Sequence, residues 1–347
     1  MSITKDFFGK TAAGTAVERF TITNQNNMRV SLITYGASIQ RIFVPDKTGT
    51  LRDVTVGFDD LEGFENRSDY QGAIAGPYAN RISEGAFVID GTTYPLVKNE
   101  DGVKTLHSGG EYTHTVWQGQ ESGDNAVTFS YTRPDGLNGY PGAIAAEITY
   151  TLTEGNELVL SYRCVSDKKT YINPTNHTYF NLGGFDSGDI LSHKLTIHAS
   201  HFTPVDKASI PSGELREVAG TPFDFRQQKP IGQDIELPCE QLQNTGGYDH
   251  NFCIDGWNKQ LREAAVAVCE ETGISLVVST DLPGIQFYAG NFLKGIIGKS
   301  GLPMNRRCGF CLETQYYPDT PHQPSFPSCL FDAGEEYRSQ TVFAFHF

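Results

Sequence analysis

Several things are missing from this chain of 347 residues, and each absence narrows the reading. No stretch approaches eighteen consecutive apolar residues, so no transmembrane helix is expected. The opening residues, Met1 to Thr15, lack the apolar core of a signal peptide. Lysine and arginine are outnumbered, 27 against 41 acidic residues, giving a formal net charge of -14. They form no cluster interleaved with aromatics, which argues against a nucleic-acid partner. The acidity fits solubility and disfavours an anionic polymer as substrate. Strands and helices do not alternate, which disfavours a doubly wound parallel sheet. No fixed-period repeat marks a propeller or solenoid. No Pro/Ser-rich linker divides the chain, which is read as a single domain over 1–347.

Cysteine is present but unpaired in pattern. The seven residues are an odd number, and free thiols in a reducing cytoplasm are expected. Cys308 and Cys311 have CxxC spacing, yet no second pair or nearby His completes a zinc site. They read as buried thiols at the entry of a strand.

What the chain does contain is period-two alternation from end to end, the mark of half-buried strands. It runs through Val17–Thr23, Met28–Ile33, Ile39–Val44, Ala86–Ile89, Ala126–Thr132, Ala145–Leu152 and Glu157–Val165. It continues in Leu195–Ala199, Ala264–Cys269, Ile274–Thr280, Ile285–Ala289 and Gln340–Phe347. Turn signals separate these runs, and 36 glycines with 17 prolines leave little room for long helices. One short helix is expected over Asp59–Arg67, after a strand at Val54–Phe58. The fold class is therefore all-β, a large antiparallel β-sandwich with long loops.

Polar and titratable residues gather beside Gly or aromatic neighbours at several points. Asn173 to Gly184 sets His177 among Asn, Thr and Tyr, whose hydrogen bonds can hold one tautomer. Asn80 and Arg81 follow a Gly-Pro turn and offer a fork of donors. His107 precedes small residues that let a ligand come close. Asp249 is flanked by aromatics, and Glu313 is an acid in an apolar strand. Gln286 lies beside Phe287 and Tyr288, aromatics suited to stacking on a sugar face.

Taken in order, these stretches resemble the galactose mutarotase (aldose 1-epimerase) family. The resemblance rests on Tyr78 to Ile82, Leu106-His107, Pro134 to Gly142, Asn176 to Leu182, Tyr248 to Asn251, Pro283 to Tyr288 and Leu312 to Gln315. The chain departs from the family after His107, where Ser108 displaces the glycines and a usual Lys is missing.

The resemblance implies a galactose mutarotase-like supersandwich that interconverts the α and β anomers of free aldohexoses. It makes Glu313 the general base on the C1 hydroxyl and His177 the general acid at the ring oxygen. His107 would hydrogen-bond near that oxygen, while Asn80, Arg81, Asp249 and Gln286 would bind hydroxyls. Opening a hemiacetal removes one proton and adds another, so no metal or other cofactor is expected. Ionised Glu313 with protonated His177 is the working state this scheme draws. The rival readings are a sugar-binding module without catalysis and a glycoside hydrolase using Asp249 with Glu313.

Overall fold

The computed structural model describes residues 1–66 and 69–347, and strands dominate it. The largest sheet has nine strands. Its spatial order is Gln118–Glu121, Ala126–Arg133, Ile144–Leu152, Glu157–Ser166, Glu336–His346, Ser275–Thr280, Arg262–Val268, Lys194–Ile197 and Lys229–Pro230. A five-stranded sheet collects the N-terminal strands from Ser2–Lys10 to Leu51–Asp53. A second runs Arg216–Glu217, Ala199–Phe202, Asp249–Ile254, Gly284–Tyr288 and Cys311–Gln315. All pairings within these three sheets are antiparallel.

Alternation does what the sequence predicts. In Glu157–Ser166 the side chains of Leu158, Leu160, Tyr162 and Cys164 are buried, and their odd-numbered neighbours are more open. These join one apolar cluster with Ile39 and Ile42 of the N-terminal sheet and Phe252, Phe287 and Leu312 of the second five-stranded sheet. Burial of this kind is the main force holding sheets face to face.

The departures have local causes. The expected strand at Leu195–Ala199 is two: Lys194–Ile197 lies in the nine-stranded sheet and Ala199–Phe202 in a five-stranded one, so the chain changes sheets at His198. The final strand begins at Glu336, opposite Val165, rather than at Gln340; the polar Glu336 and Arg338, paired with each other on its outer side, hide its start from the apolar pattern. Ser2–Lys10 is an edge strand, mostly exposed, with too few apolar residues for alternation to reveal it. Only Thr55–Val56 of Val54–Phe58 pairs as a strand. The short helix spans Leu61–Glu65, with Asp60 Oδ1 accepting the Gly63 N–H at 3.0 Å as its cap. Arg67, the expected end of that helix, lies outside the described residues.

Cys308 and Cys311 are buried free thiols, and Cys311 opens a strand, as expected. All seven cysteines are unpaired. No helix among the described residues is long and apolar enough to cross a membrane.

Candidate active site

The second five-stranded sheet presents one polar and one apolar face, and register explains why. Asn251, Gln286 and Glu313 stand opposite one another across three strands, as do Asp249, Tyr288 and Cys311. With a side-chain period of two, all six share a face. His250, Phe252, Ile285, Phe287 and Leu312 point the other way, into the core. Of the two aromatics expected to meet a sugar, Tyr288 lines the cleft, whereas Phe287 packs against Tyr248 in the interior.

Above the polar face lies a cleft of about 520 Å³. Asn80, Arg81, His107, His177, Asp249 and Glu313 all line it, together with Tyr70, Tyr179, Tyr288 and Glu100. Gln286 is not among the lining residues. Its Nε2 donates to Asp249 Oδ1 at 2.7 Å and its Oε1 accepts from Gln315 Nε2 at 3.2 Å, so it braces Asp249 from behind. This engagement stands beside the hydroxyl contact that the resemblance implies for Gln286.

His177 follows strand Thr175–Asn176, and its backbone is clamped on both sides: its N–H donates to Ala73 O and its carbonyl accepts from Gly72 N, each at 2.9 Å. The neighbouring Asn and Thr do not orient the imidazole, contrary to the expectation from sequence. Asn176 Nδ2 donates to Gly72 O and Thr178 Oγ1 donates to Asn176 Oδ1, which fixes the main chain. The ring itself meets groups from a distant strand. Nδ1 is 3.6 Å from Cys311 Sγ, and Nε2 is 3.7 Å from Glu313 Oε1. Tyr70, Tyr179 and His107 wall it in, with ring centroids at 5.7, 5.1 and 5.3 Å.

His107 sits in a turn with φ of +48°, followed by Ser108 at +53° and Gly109 and Gly110 at +75° each. The two glycines supply left-handed backbone without steric cost. Asn80 and His107 bond reciprocally: His107 N–H donates to Asn80 O at 3.0 Å, and Asn80 N–H donates to His107 Nδ1 at 3.1 Å. Because Nδ1 accepts, the neutral ring carries its proton on Nε2. Ser108 Oγ donates to Tyr78 O at 2.9 Å and accepts from Tyr78 N at 3.0 Å, so the altered stretch after His107 is itself pinned.

Burial moves both members of the central pair toward their neutral forms. His177 is pushed down to about 4 by desolvation. Glu313 is pushed well above the usual carboxylate range, first by burial and then by the Asp249 carboxylate, with Arg81 opposing. Asp249 is raised by burial as well. His107 is pushed well below the usual imidazole range by burial, and then by His177 and Arg81. Glu313 Oε2 is buried without a hydrogen-bond partner among the described residues, an acceptor left for a ligand. Without a ligand, burial thus favours the neutral form of each group, whereas the scheme drawn from the resemblance uses the charged pair at the moment of reaction.

His107, His177 and Glu313 offer ligand atoms within 4.8 Å of one another. Their chemistry does not suit a cation. Nδ1 of His107 is occupied by the Asn80 N–H, and the Nε2 left over is protonated.

Sequence reading missed Tyr70, Tyr179 and Glu100 as cleft residues. Tyr179 lies inside the Asn176–Leu182 stretch, but no local signal there separates it from its neighbours. Tyr70, at φ +62°, and Glu100, in a polar loop, carry no signal that composition or spacing would single out.

An antiparallel β fold with a buried carboxylate–imidazole pair under a polar, aromatic-walled cleft is suited to proton transfer on a small polar ligand such as a sugar. The comparisons with known proteins agree. The aldose 1-epimerase family model matches residues 18–344. Galactose mutarotase of Bos taurus is 42% identical over 348 residues, covering 99% of each chain. Aldose 1-epimerase of Escherichia coli K12 is 36% identical over 328 residues, covering 94% of each. The crystal structure of galactose 1-epimerase from Lactobacillus acidophilus superposes with a TM-score of 0.86 at 26% identity, covering 99% of each chain. This chain belongs to the aldose 1-epimerase family.

Proposed function

We propose that the chain interconverts the α and β anomers of free aldohexoses such as galactose and glucose, with Glu313 and His177 moving the protons. The C1 hydroxyl and the ring oxygen hang on one carbon, so the acid and base that serve them must stand close together. The observation that carries the reading is the His177 Nε2 to Glu313 Oε1 separation of 3.7 Å at the floor of the cleft. Between their two titrations the pair holds one proton, whichever member carries it. Proton on His177 and charge on Glu313 make Glu313 the base at C1 and His177 the acid at the ring oxygen. Opening the ring frees the aldehyde, rotation about C1–C2 exposes its other face, and re-closure returns both protons.

His107 donates from Nε2 near the ring oxygen, while Arg81 and Asp249 hold hydroxyls remote from the reacting carbon. Asn80 Oδ1 already accepts the Arg81 N–H at 2.9 Å, which leaves its amide NH₂ for a substrate hydroxyl. Tyr288 and the half-exposed Phe292 are near-parallel, with centroids 6.3 Å apart, and offer an apolar wall to one sugar face. A hydrolase would set a second carboxylate across the bond from Glu313. Here an imidazole stands beside it, and Asp249 is engaged by Gln286.

The chain is further read as one catalytic domain in a reducing, cytoplasmic compartment. The shared core of all three sheets and the seven free thiols support that reading.

The deciding experiment is polarimetry of freshly dissolved α-D-glucose and α-D-galactose with and without protein. Accelerated equilibration supports the assignment. Sugar binding by calorimetry with no acceleration would leave a binding protein, and cleavage of a glycoside would leave a hydrolase.

A further inference from the structure

Most of Arg81's hydrogen-bonding edge is already in use. Its Nε and Nη2 donate to the two carboxylate oxygens of Glu100 at 2.8 and 2.9 Å. This fork-on-fork contact is the strong, directional form of an ion pair. Nη1 faces Asp249 Oδ2 at 3.8 Å, too far for a direct hydrogen bond. Asp249 Oδ1 is occupied by Gln286. One free donor edge and one free acceptor therefore face each other across a gap. A hydroxyl oxygen can stand at about 2.8 Å from both, accepting from Nη1 and donating to Oδ2.

A guanidinium and a carboxylate this close, in a buried site, would ordinarily close into direct contact. Glu100 pulls the other way, and its loop is built to hold it there. Asn99 Nδ2 donates to Leu106 O at 3.0 Å and Leu106 N donates to Asn99 Oδ1 at 2.8 Å, pinching the loop at its base. Leu106 in turn pairs with Arg81 in adjacent antiparallel strands. Glu100 and Lys104 form a bridge within the loop, and Lys104 Nζ lies 3.6 Å from Glu100 Oε2 and 2.9 Å from Asp101 Oδ2. The guanidinium is thus carried by strand Arg81–Ile82, and the carboxylate that grips it by the loop leading into that strand's partner, Thr105–Leu106.

We propose that Glu100 is a positioning residue of the sugar site: it holds the Nε–Nη2 edge of Arg81, keeps the guanidinium from closing on Asp249, and so keeps open a gap that reads one substrate hydroxyl. This rests on the epimerase reading of the cleft. Glu100 acts through Arg81 and does not itself move a proton. Its loss acts on binding of the remote hydroxyl and leaves the proton-transfer pair in place.

The test compares wild type with Glu100→Ala and Glu100→Gln, using galactose and its 2-, 3-, 4- and 6-deoxy analogues in the polarimetric assay. Circular dichroism establishes that the variants are folded, and Glu313→Gln serves as the control for the chemistry. In Glu100→Ala, KM for galactose should rise by about tenfold or more, as for loss of a charge-assisted hydrogen bond, while kcat falls far less. One deoxy analogue should be penalised by wild type and treated like galactose by Glu100→Ala, because the gap that reads the missing hydroxyl has closed. A crystal structure of the variant should show Arg81 Nη1 in hydrogen-bond contact with Asp249 Oδ2. Glu100→Gln, which keeps one acceptor, should fall between. A folded Glu100→Ala with wild-type KM, or one that keeps every deoxy penalty, overturns the proposal. If wild type itself does not accelerate the equilibration of galactose, the epimerase reading fails instead, so the two failures are separable.

Discussion

Cys311 Sγ lies 3.6 Å from Nδ1 of His177, while the other ring nitrogen faces Glu313 Oε1 at 3.7 Å. Cys311 and Glu313 are two residues apart on one strand and so share a face. A single strand thus touches both nitrogens of an imidazole that belongs to a loop 134 residues earlier in the chain. Burial, with the Glu313 and Asp249 carboxylates adding to it, pushes the Cys311 thiol well above its usual range, so it stays S–H. To the neutral ring the thiol can donate at Nδ1; in the imidazolium that acts as the acid, Nδ1–H becomes the donor to sulfur, and Nε2–H faces the substrate in both forms.

Removing either member of the pair should cost rate more than binding. A positioned proton-transfer group contributes about 10²–10⁴-fold. Glu313→Gln and His177→Asn should each lose at least about 10²-fold in kcat with smaller changes in KM. A folded Glu313→Gln with near wild-type kcat would move the base elsewhere, with Asp249 the next candidate.

The pH profile of kcat/KM should be a bell whose limbs belong to the pair. On the acid side, activity falls as His177 takes up a second proton, toward about 4. On the basic side, it falls as the last shared proton leaves Glu313, above the usual carboxylate range. The active form is the singly protonated pair between these limits. A profile that rises with pH and never falls would mean that only an ionised base is required.

Arg81→Ala and Asp249→Ala strip a donor and an acceptor from a buried cluster. Breaking a hydrogen bond to a charged group costs about 1.5–3 kcal/mol, so KM should rise by about tenfold or more in each. Initial-rate polarimetry over a range of galactose concentrations checks this. Wild-type KM in both variants would make the two residues structural.

Catalysis should survive exhaustive chelation, because His107 Nδ1 is engaged by a backbone N–H and the three candidate ligands do not make a free set. Loss of activity restored by added zinc or manganese would overturn the acid–base scheme.

One stability prediction lies away from the cleft. Lys299 is fully buried, and its Nζ donates to Asp53 Oδ2 at 2.8 Å, Thr55 O at 2.7 Å and Thr55 Oγ1 at 2.9 Å. Breaking a buried pair by deleting one partner typically costs about 3–5 kcal/mol. Arg41 also reaches Asp53, at 2.9 Å, and keeps part of the compensation. Lys299→Ala should therefore fall at the lower end of that range in denaturant unfolding. A loss under about 1 kcal/mol would show that Arg41 alone suffices.

Period-two alternation was enough to announce an all-β chain, because one face of each strand must be apolar to be buried and that choice is written residue by residue. The same local signal located the strand carrying Gln286, Glu313 stood out only as an acid in an apolar run, and the ordered motifs carried the family. What the sequence by itself could not determine were relations between residues far apart in the chain. Which of Phe287 and Tyr288 meets the cleft depends on the sheet face that register selects. That Gln286 braces Asp249, that Cys311 touches His177, and that Glu100 grips Arg81 are contacts across 37, 134 and 19 residues of chain. The order of the two key titrations was likewise decided by tertiary structure. Composition makes a histidine easier to deprotonate than to leave charged only when it is known to be buried, and burial is a property of the packed sheets rather than of any one residue.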